Sequence, residues 1–332
     1  MSTARRTLSL APTVPGARLV GWGSSQPDHV VTNHDLAKRV ETSDEWIRDR
    51  VGIVSRRIAD KDTLLVDMAV DAGSKAIADA GFSPTDIDTV LVANCTMPNP
   101  IPNAAAQVAY RIGINAPGAF DLNAACAGFC YAMGMASDLI RGGSSRNVLI
   151  IGAEKLSDWL DWDDRSTCII FADGAGAAVL APAQSEDEVG VGPLIWGSSG
   201  DMSEVIRVKP ETSGITQEGQ AVFRWATTQI GPIALRAIEA AGLTPADIDV
   251  FVPHQANLRI VDAVAKRLRK AGARDDMRVA QDIVHSGNTS SASIPLAVDH
   301  MRAAGEISRG DVLLLVGFGA GLSYAGQVVI CP

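Results

Sequence analysis

The chain has 332 residues, a formal net charge of −9, 47% apolar side chains and only 5% aromatic ones. That length supports one large or two medium domains with a sizeable core, and the acidic balance argues against wholesale binding to nucleic acid or an anionic membrane. The longest apolar runs are strand-sized, short of the roughly 20 residues that span a bilayer, so a soluble protein is expected.

Read from the N-terminus, Arg5-Arg6 superficially resembles a twin-arginine export signal, but Pro12, Pro15 and Gly16 arrive before any apolar core. A frayed tail ahead of a first strand over residues 17–21 is expected instead. Residues 76–88 read as a helix end, a Gly stop and a Pro turn, followed by an apolar strand over 90–93. Residues 119–123 are a short apolar run of the kind that makes a buried strand. After it, Phe129, Ala132, Met133, Ala136, Leu139 and Ile140 fall at the spacing of one helix face, closed by Gly142-Gly143.

Cys126 therefore sits where a strand ends and a helix begins. Unpaired N–H groups and the helix dipole stabilise an anion there, so a thiol with a lowered pKa is expected. Taken alone, the turn suits a small core hydrophobe equally well. The five cysteines (95, 126, 130, 168, 331) have no disulfide-framework spacing, which fits a reducing, cytoplasmic setting. Cys126 and Cys130 are spaced i, i+4 but have no further ligand nearby in sequence, so no metal site is expected.

The second half repeats the first. Residues 237–249 match residues 76–88 at eight of thirteen positions, and a second echo pairs Phe171–Gly176 with Val316–Gly321. Two echoes in the same order predict two copies of one α/β unit, each a mostly parallel sheet packed by helices. The polar stretch 182–188 divides the chain into halves 1–185 and 186–332. A site between the halves is expected, because α/β units place ligands where strand ends meet helix starts.

Two segments of the second half are candidates to meet Cys126 there. His254 follows the apolar run Val250-Phe-Val-Pro253 and opens a helical segment from Ala256, a position like that of Cys126. Asn288 lies in the turn His285-Ser-Gly-Asn288-Thr-Ser-Ser, before a helix from Ile294, and donates N–H without changing charge. Singly, a capping or core His and a turn or capping Asn are the commoner readings. His285, without a counterpart in the first half, is read as structural.

Taken together, the segments are recognisable: Ala125-Cys126-Ala-Gly-Phe129, Val252-Pro-His254-Gln-Ala-Asn257, Gly287-Asn288-Thr-Ser, Thr42-Ser-Asp-Glu-Trp46-Ile, Phe171-Ala-Asp-Gly-Ala-Gly176 and Phe318-Gly-Ala-Gly321. From about residue 21 onward the chain closely resembles the β-ketoacyl-[acyl-carrier-protein] synthase III family of condensing enzymes, in a style most like actinobacterial members. The resemblance implies the thiolase-like fold, in which two duplicated α/β halves stack as five layers, αβαβα.

It further implies that Cys126 accepts an acyl group from acyl-CoA, with His254 and Asn288 completing the catalytic site. Malonyl-acyl-carrier protein then decarboxylates and condenses, giving 3-ketoacyl-carrier protein, the initiating step of fatty acid synthesis. The implied oxyanion hole is the N–H pair of Cys126 and Ala320. Many relatives have Gly at the latter, and a backbone donor tolerates Ala if φ is negative. The implied CoA site sandwiches adenine between Trp46 and Arg165, with Arg50 on phosphate and Asn257 along the pantetheine channel.

Phe171 and Ile101 would shape the acyl pocket, Ile101 from the partner subunit of a homodimer; its modest size implies tolerance of branched or somewhat longer primers. Coenzyme A thioesters are substrates, and no resident cofactor or metal is implied. Segment 207–220 looks shorter than in actinobacterial relatives. On the helix from Ala256, Arg259, Lys266 and Lys270 lie within about 40° of one line at 3.6 residues per turn. With Arg267 beside them and Arg224 at a matching basic position, the stripe suits docking of an acidic carrier protein, or simply a solvated face. Two other readings stand beside this one. The order Cys, His, Asn also occurs in papain-like hydrolases, although no Gly-Ser-Cys-Trp signature is present. Within the same fold, a starter-unit condensing enzyme or acyltransferase of a polyketide or other secondary pathway would carry the same residues.

Overall fold

The computed structural model describes residues 13–208 and 214–332; the Arg5-Arg6 tail and part of segment 207–220 lie outside the described residues. The first half supplies strands β1 (Ala17–Ser25), β2 (Thr89–Ala93), β3 (Gly118–Leu122), β4 (Val148–Lys155) and β5 (Asp173–Pro182), in the spatial order β1-β5-β4-β2-β3. The second supplies β6 (Ile195–Ser198), β7 (Val250–Pro253), β8 (Arg278–Val279), β9 (Val312–Phe318) and β10 (Ser323–Ile330), in the order β6-β10-β9-β7-β8. In each sheet the first two pairings are antiparallel and the last two parallel. Each half thus builds the same unit in the same sense.

The duplicated motif is also duplicated atom for atom at its turn. Asp86 receives the N–H and the hydroxyl of Ser83, both at 2.7 Å. Asp247 receives those of Thr244, again both at 2.7 Å. The second echo behaves differently. Asp173–Gly176 runs inside β5, whereas Gly319–Gly321 forms the turn between β9 and β10. The two Gly-Ala-Gly strings serve unlike purposes and are not equivalent positions. The expected strand at 119–123 is also corrected: β3 spans 118–122, forms the sheet edge and is only half-buried.

Helices α1 (Asp44–Val51), α2 (Leu65–Asp79), α3 (Ala104–Ile112), α4 (Gly128–Arg141), α5 (Gly219–Ala240), α6 (Leu258–Lys270) and α7 (Ser293–Ala303) complete the frame. In α2, Leu65, Met68, Ala69, Ala72, Ala76 and Ile77 fall on one face and are buried, which packs it with α3 on the outer face of the first sheet. The apolar faces of α5 and α6 cover the second sheet in the same way. Between the sheets lie α4 and α7, sharing one core with β2, β4, β7 and β9. The result is five layers, αβαβα.

The middle layer crosses over: α7 belongs to the second half yet packs mainly on β5 and β1 of the first. Its leading turn sits so close to β4 that a Cβ on Gly152 would meet the Ser291 carbonyl oxygen. Glycine there lets the 288–293 turn rest directly on the first sheet, beside the end of β4. No helix among the described residues is long and apolar enough to cross a membrane.

Candidate active site

Chain direction changes sharply after β3. Ala125 adopts φ of +46°, a left-handed position costing an alanine roughly 1–2 kcal/mol. The Asn123 side chain steadies it by accepting the Ala125 N–H at 3.2 Å. The kink delivers Cys126 in a short 3₁₀ turn that runs into α4. Across from it, the turn after β9 lies against the thiol: a Cβ on Gly319 would fall 2.8 Å from Sγ, so only glycine fits. The Ala320 N–H comes close enough to Cys126 Sγ to favour a negative charge there. Within this turn the left-handed position falls on Gly321 (φ +112°), not on Ala320, which is why alanine is accommodated.

His254 ends β7, its N–H bound to the Val316 carbonyl at 2.8 Å. Its Nδ1 is 2.7 Å from Ser293 Oγ, and its ring stands edge-on to Phe318, 5.3 Å between centroids. Burial without a charged partner pushes its pKa down to about 3, so the imidazole is neutral. The helix after it begins only at Leu258, because Asn257 caps it by accepting the Arg259 N–H at 2.9 Å. Asn288 is fixed by its backbone, donating to Ile170 O and accepting from Ala172 N–H, both at 2.9 Å. Its Oδ1 takes the Ser290 N–H at 2.8 Å, which leaves its NH₂ for the cavity.

Cys126, His254 and Asn288 line one cavity of about 650 Å³, together with Phe171 and Phe318. Trp46, Arg50, Asn257, Arg224 and Arg259 line the same cavity. The size and the mix of apolar walls with a few polar groups suit a small-molecule site. Helix α1 presents Trp46 and Arg50 because Ser43 caps it at the Trp46 N–H, 3.1 Å.

The expectation of a lowered Cys126 pKa is corrected. Burial pushes the thiol up to about 11, the Glu154 carboxylate adds to the rise, and hydrogen bonds from Ser290 and from the Cys126 and Ala320 N–H groups offset it only in part. Desolvation outweighs the short helix start.

The remaining candidates are placed as follows. Arg165 stacks directly on the Trp46 indole, its guanidinium carbon 4.8 Å from the ring centroid, and donates to Glu41 O. Arg50 also lies over Trp46, at 5.5 Å. Asn257 has both ends of its amide engaged, the second by donating to Arg50 O at 3.1 Å. Ile101 is 83% exposed and outside the cavity of its own chain. Lys266 and Arg267 sit exposed further along α6, with the Arg267 stem lying across Gly231 of α5. His285 is exposed outside the cavity. No cluster of metal-holding side chains occurs among the described residues.

Sequence reasoning missed Ser290, Ser293 and Glu154. The run Ser290-Ser-Ala-Ser293 ahead of an apolar helix was the available signal for the first two. Glu154 in the buried strand Val148–Lys155 was the signal for the third.

Residues 238–331 match the family model described as 3-oxoacyl-[acyl-carrier-protein] synthase III C terminal, and residues 120–200 match the model for 3-oxoacyl-[acyl-carrier-protein] synthase III. β-Ketoacyl-[acyl-carrier-protein] synthase III 4 of Streptomyces coelicolor is 49% identical over 317 residues, covering 96% of this chain and 99% of that one. Among solved structures, the priming β-ketosynthase of the R1128 polyketide pathway superposes with a TM-score of 0.93 at 38% identity, covering 98% and 99% of the two chains. The 3-oxoacyl-[acyl-carrier-protein] synthase III of Aquifex aeolicus superposes with a TM-score of 0.89 at 36% identity, covering 95% and 100%.

Proposed function

The chain belongs to the 3-oxoacyl-[acyl-carrier-protein] synthase III family, and from that premise we propose how its own residues divide the reaction. It is a condensing acyltransferase, and the reaction is the one that initiates fatty acid synthesis. An acyl-CoA primer is joined to malonyl-acyl-carrier protein with loss of CO₂, giving 3-ketoacyl-carrier protein. The observation that carries the assignment of residues is the meeting of Cys126, His254 and Asn288 in one cavity.

In the first half-reaction Cys126 Sγ attacks the primer thioester and CoA departs. The N–H groups of Cys126 and Ala320, which favour negative charge beside the sulfur, hold the tetrahedral oxyanion. In the second, malonyl thioester loses CO₂ and the enolate attacks the acyl-Cys carbonyl. A neutral His254 donating from Nε2, beside the Asn288 NH₂, stabilises the enolate oxygen without itself changing charge. Each such donor is worth about 3 kcal/mol of barrier.

Trp46, Arg50 and Arg165 hold the CoA nucleotide, with Arg165 swinging off the indole to admit adenine, and Asn257 borders the pantetheine arm. Arg224 and Arg259 at the mouth, extended by Lys266 and Arg267, form the carrier-protein dock. The halves 1–185 and 186–332 each supply part of the site. The unpaired edge of β3, with Ile101 at 83% and Tyr110 at 84% exposure nearby, supports a homodimer in which Ile101 and Phe171 close the acyl pocket between copies. Five free thiols fit a reducing cytoplasm.

Incubation with an acyl-CoA and malonyl-carrier protein, followed by mass analysis of the carrier protein, tests the reading. A 3-ketoacyl adduct is expected; free acid from the primer would point to hydrolysis instead. The polyketide priming enzyme that superposes at a TM-score of 0.93 supports a second reading, the same condensation feeding a polyketide chain.

A further inference from the structure

Arg56 is fully buried, and neither half-reaction above gives it a task. It is the middle residue of the short strand Ser55–Arg57, which pairs with Val30–Thr32. Among the described residues its guanidinium makes no ion pair and bonds only to neutral oxygens. Nη2 donates to the Ile169 carbonyl at 2.8 Å. Nη1 donates to Asn33 Oδ1 at 2.8 Å and to the Val31 carbonyl at 3.3 Å. Burial pushes its pKa down to about 10, the mark of a charge that its surroundings compensate poorly. A buried cation with no carboxylate against it destabilises a fold relative to a well-packed apolar side chain. Packing alone therefore does not account for an arginine here.

Asn288 hangs from the segment that the guanidinium holds. Through its N–H on Ile170 O and its carbonyl on the Ala172 N–H, both at 2.9 Å, it bridges to Phe171. Ile169, which takes Nη2, stands immediately before. On the other flank the Val54 N–H donates to the Val284 carbonyl at 2.7 Å, and the Ser55 hydroxyl to the His285 carbonyl at 3.2 Å. These bonds tie the Arg56 strand to the turn that leads into Asn288. Gly287 then passes so close that a Cβ there would fall 2.9 Å from the Cβ atoms of Arg56 and Ala172. Arg56 thus borders both flanks of Asn288, with its strand on one and its guanidinium on the other. Buried Asn33 completes the fixture. Its Nδ2 donates to Asp44 Oδ1 and the Ile53 carbonyl, both at 2.8 Å, which turns Oδ1 toward Arg56.

We propose that Arg56 is a positioning residue for carbon–carbon bond formation: by clamping Ile169 to its own strand, on either side of the Gly287–Asn288 turn, it sets where the Asn288 amide meets the enolate oxygen. The rigid fork is what the task needs. One nitrogen takes Ile169 and the other Asn33, at a fixed angle that the point charge of a flexible lysine does not reproduce. A donor stabilises developing charge only when it is already in place, and a displacement of about 1 Å can slow a reaction by about a hundredfold. Arg56 does not line the cavity, so it acts through Asn288 and never touches substrate. None of its hydrogen bonds reaches the Cys126 or Ala320 turns, whose N–H groups serve acyl loading.

This inference rests on the reading that Asn288 stabilises the enolate. The test is a double-variant cycle in the full chain, with Arg56→Lys, Asn288→Ala and the two together. Each protein is loaded at saturating acyl-CoA, desalted, and followed through a single turnover with malonyl-carrier protein. Arg56→Lys should slow condensation by about tenfold, while loading stays within about twofold. In the Asn288→Ala background the same substitution should slow condensation by no more than about twofold further, because the group it acts through is gone. Asn33→Ala keeps the Ile169 bond and frees one nitrogen of the fork, so it should show the same pattern at about threefold.

Losses that multiply in the double variant would overturn the positioning role, and so would equal losses in loading and condensation. Either result would leave Arg56 a support of the fold. If Arg56→Lys fails to fold, Asn33→Ala decides in the same cycle. An unchanged condensation rate, or a loss that keeps its full size in the Asn288→Ala background, overturns the inference. Condensation at full speed in Asn288→Ala alone would overturn the reading of Asn288 and this inference with it. A slow Asn288→Ala with multiplying losses overturns the role of Arg56 alone.

Discussion

Ser293 Oγ lies 2.7 Å from His254 Nδ1 and accepts the Gln255 N–H at 3.2 Å. A Ser293 hydroxyl that donates to Nδ1 leaves the imidazole proton on Nε2, toward the cavity, which is the tautomer the proposed condensation requires. Ser293→Ala should therefore slow decarboxylative condensation by about tenfold, the worth of one buried hydrogen bond. Acyl loading should hold steady, and Ser293→Thr should restore the rate. Single-turnover measurement of each half-reaction separates the two effects. Equal loss in both would mean that Ser293 merely supports the fold.

The His254 shift also predicts how stability depends on pH. In the unfolded chain the imidazole titrates near its ordinary 6.5, whereas in the fold its pKa is pushed down to about 3 by burial. Below 6.5 the unfolded state therefore binds a proton that the folded state refuses, so stability present above pH 6.5 is lost as pH falls toward 3. At pH 5 the loss from this group is about 2 kcal/mol. Thermal melts of His254→Asn between pH 7 and 5 should fall less steeply than those of the unmodified protein. Parallel curves would show that the imidazole protonates freely in the fold.

Trp46 and the two guanidinium groups over it make a local claim about the nucleotide end of CoA. Trp46→Ala should raise KM for acyl-CoA by about tenfold, in line with the loss of a stacked cation–π platform. A truncated acyl-pantetheine thioester, which has no adenine to stack, should react with the same kinetics in both proteins. A matching loss with the truncated substrate would make Trp46 a packing residue.

Lys266 lies seven residues beyond Arg259 on α6, about 10 Å further from the cavity mouth, and is exposed. Lys266→Glu should raise KM for malonyl-carrier protein several-fold at low salt, shrinking toward unity as salt rises. Loading from acyl-CoA should be unaffected. An equal change in both steps would remove Lys266 from the dock.

Much of the frame was legible because it repeats locally. The thirteen-residue echo carried its own capping turn, and the face of α4 followed directly from helical spacing. Cys126, His254 and Asn288 were legible as chemistry at strand-to-helix junctions, and the fold brings them to one cavity. What sequence could not convey was burial. The thiol pKa was expected to fall because the local turn favours an anion, and it rises because residues more than a hundred positions away seal the turn. Glu154 meets Ser290 across 136 residues, a contact no local pattern announces. The strand at 119–123 looked buried because its composition is apolar, while its place at the sheet edge depends on strand order.

The most direct measurement is the intact mass of the protein after incubation with acyl-CoA, and again after adding malonyl-carrier protein. The account predicts that one acyl group loads on the unmodified protein, none loads on Cys126→Ala, and the group then departs as a 3-ketoacyl adduct on the carrier. Acyl loading that survives in Cys126→Ala, or an acyl group that leaves as free acid, would contradict it.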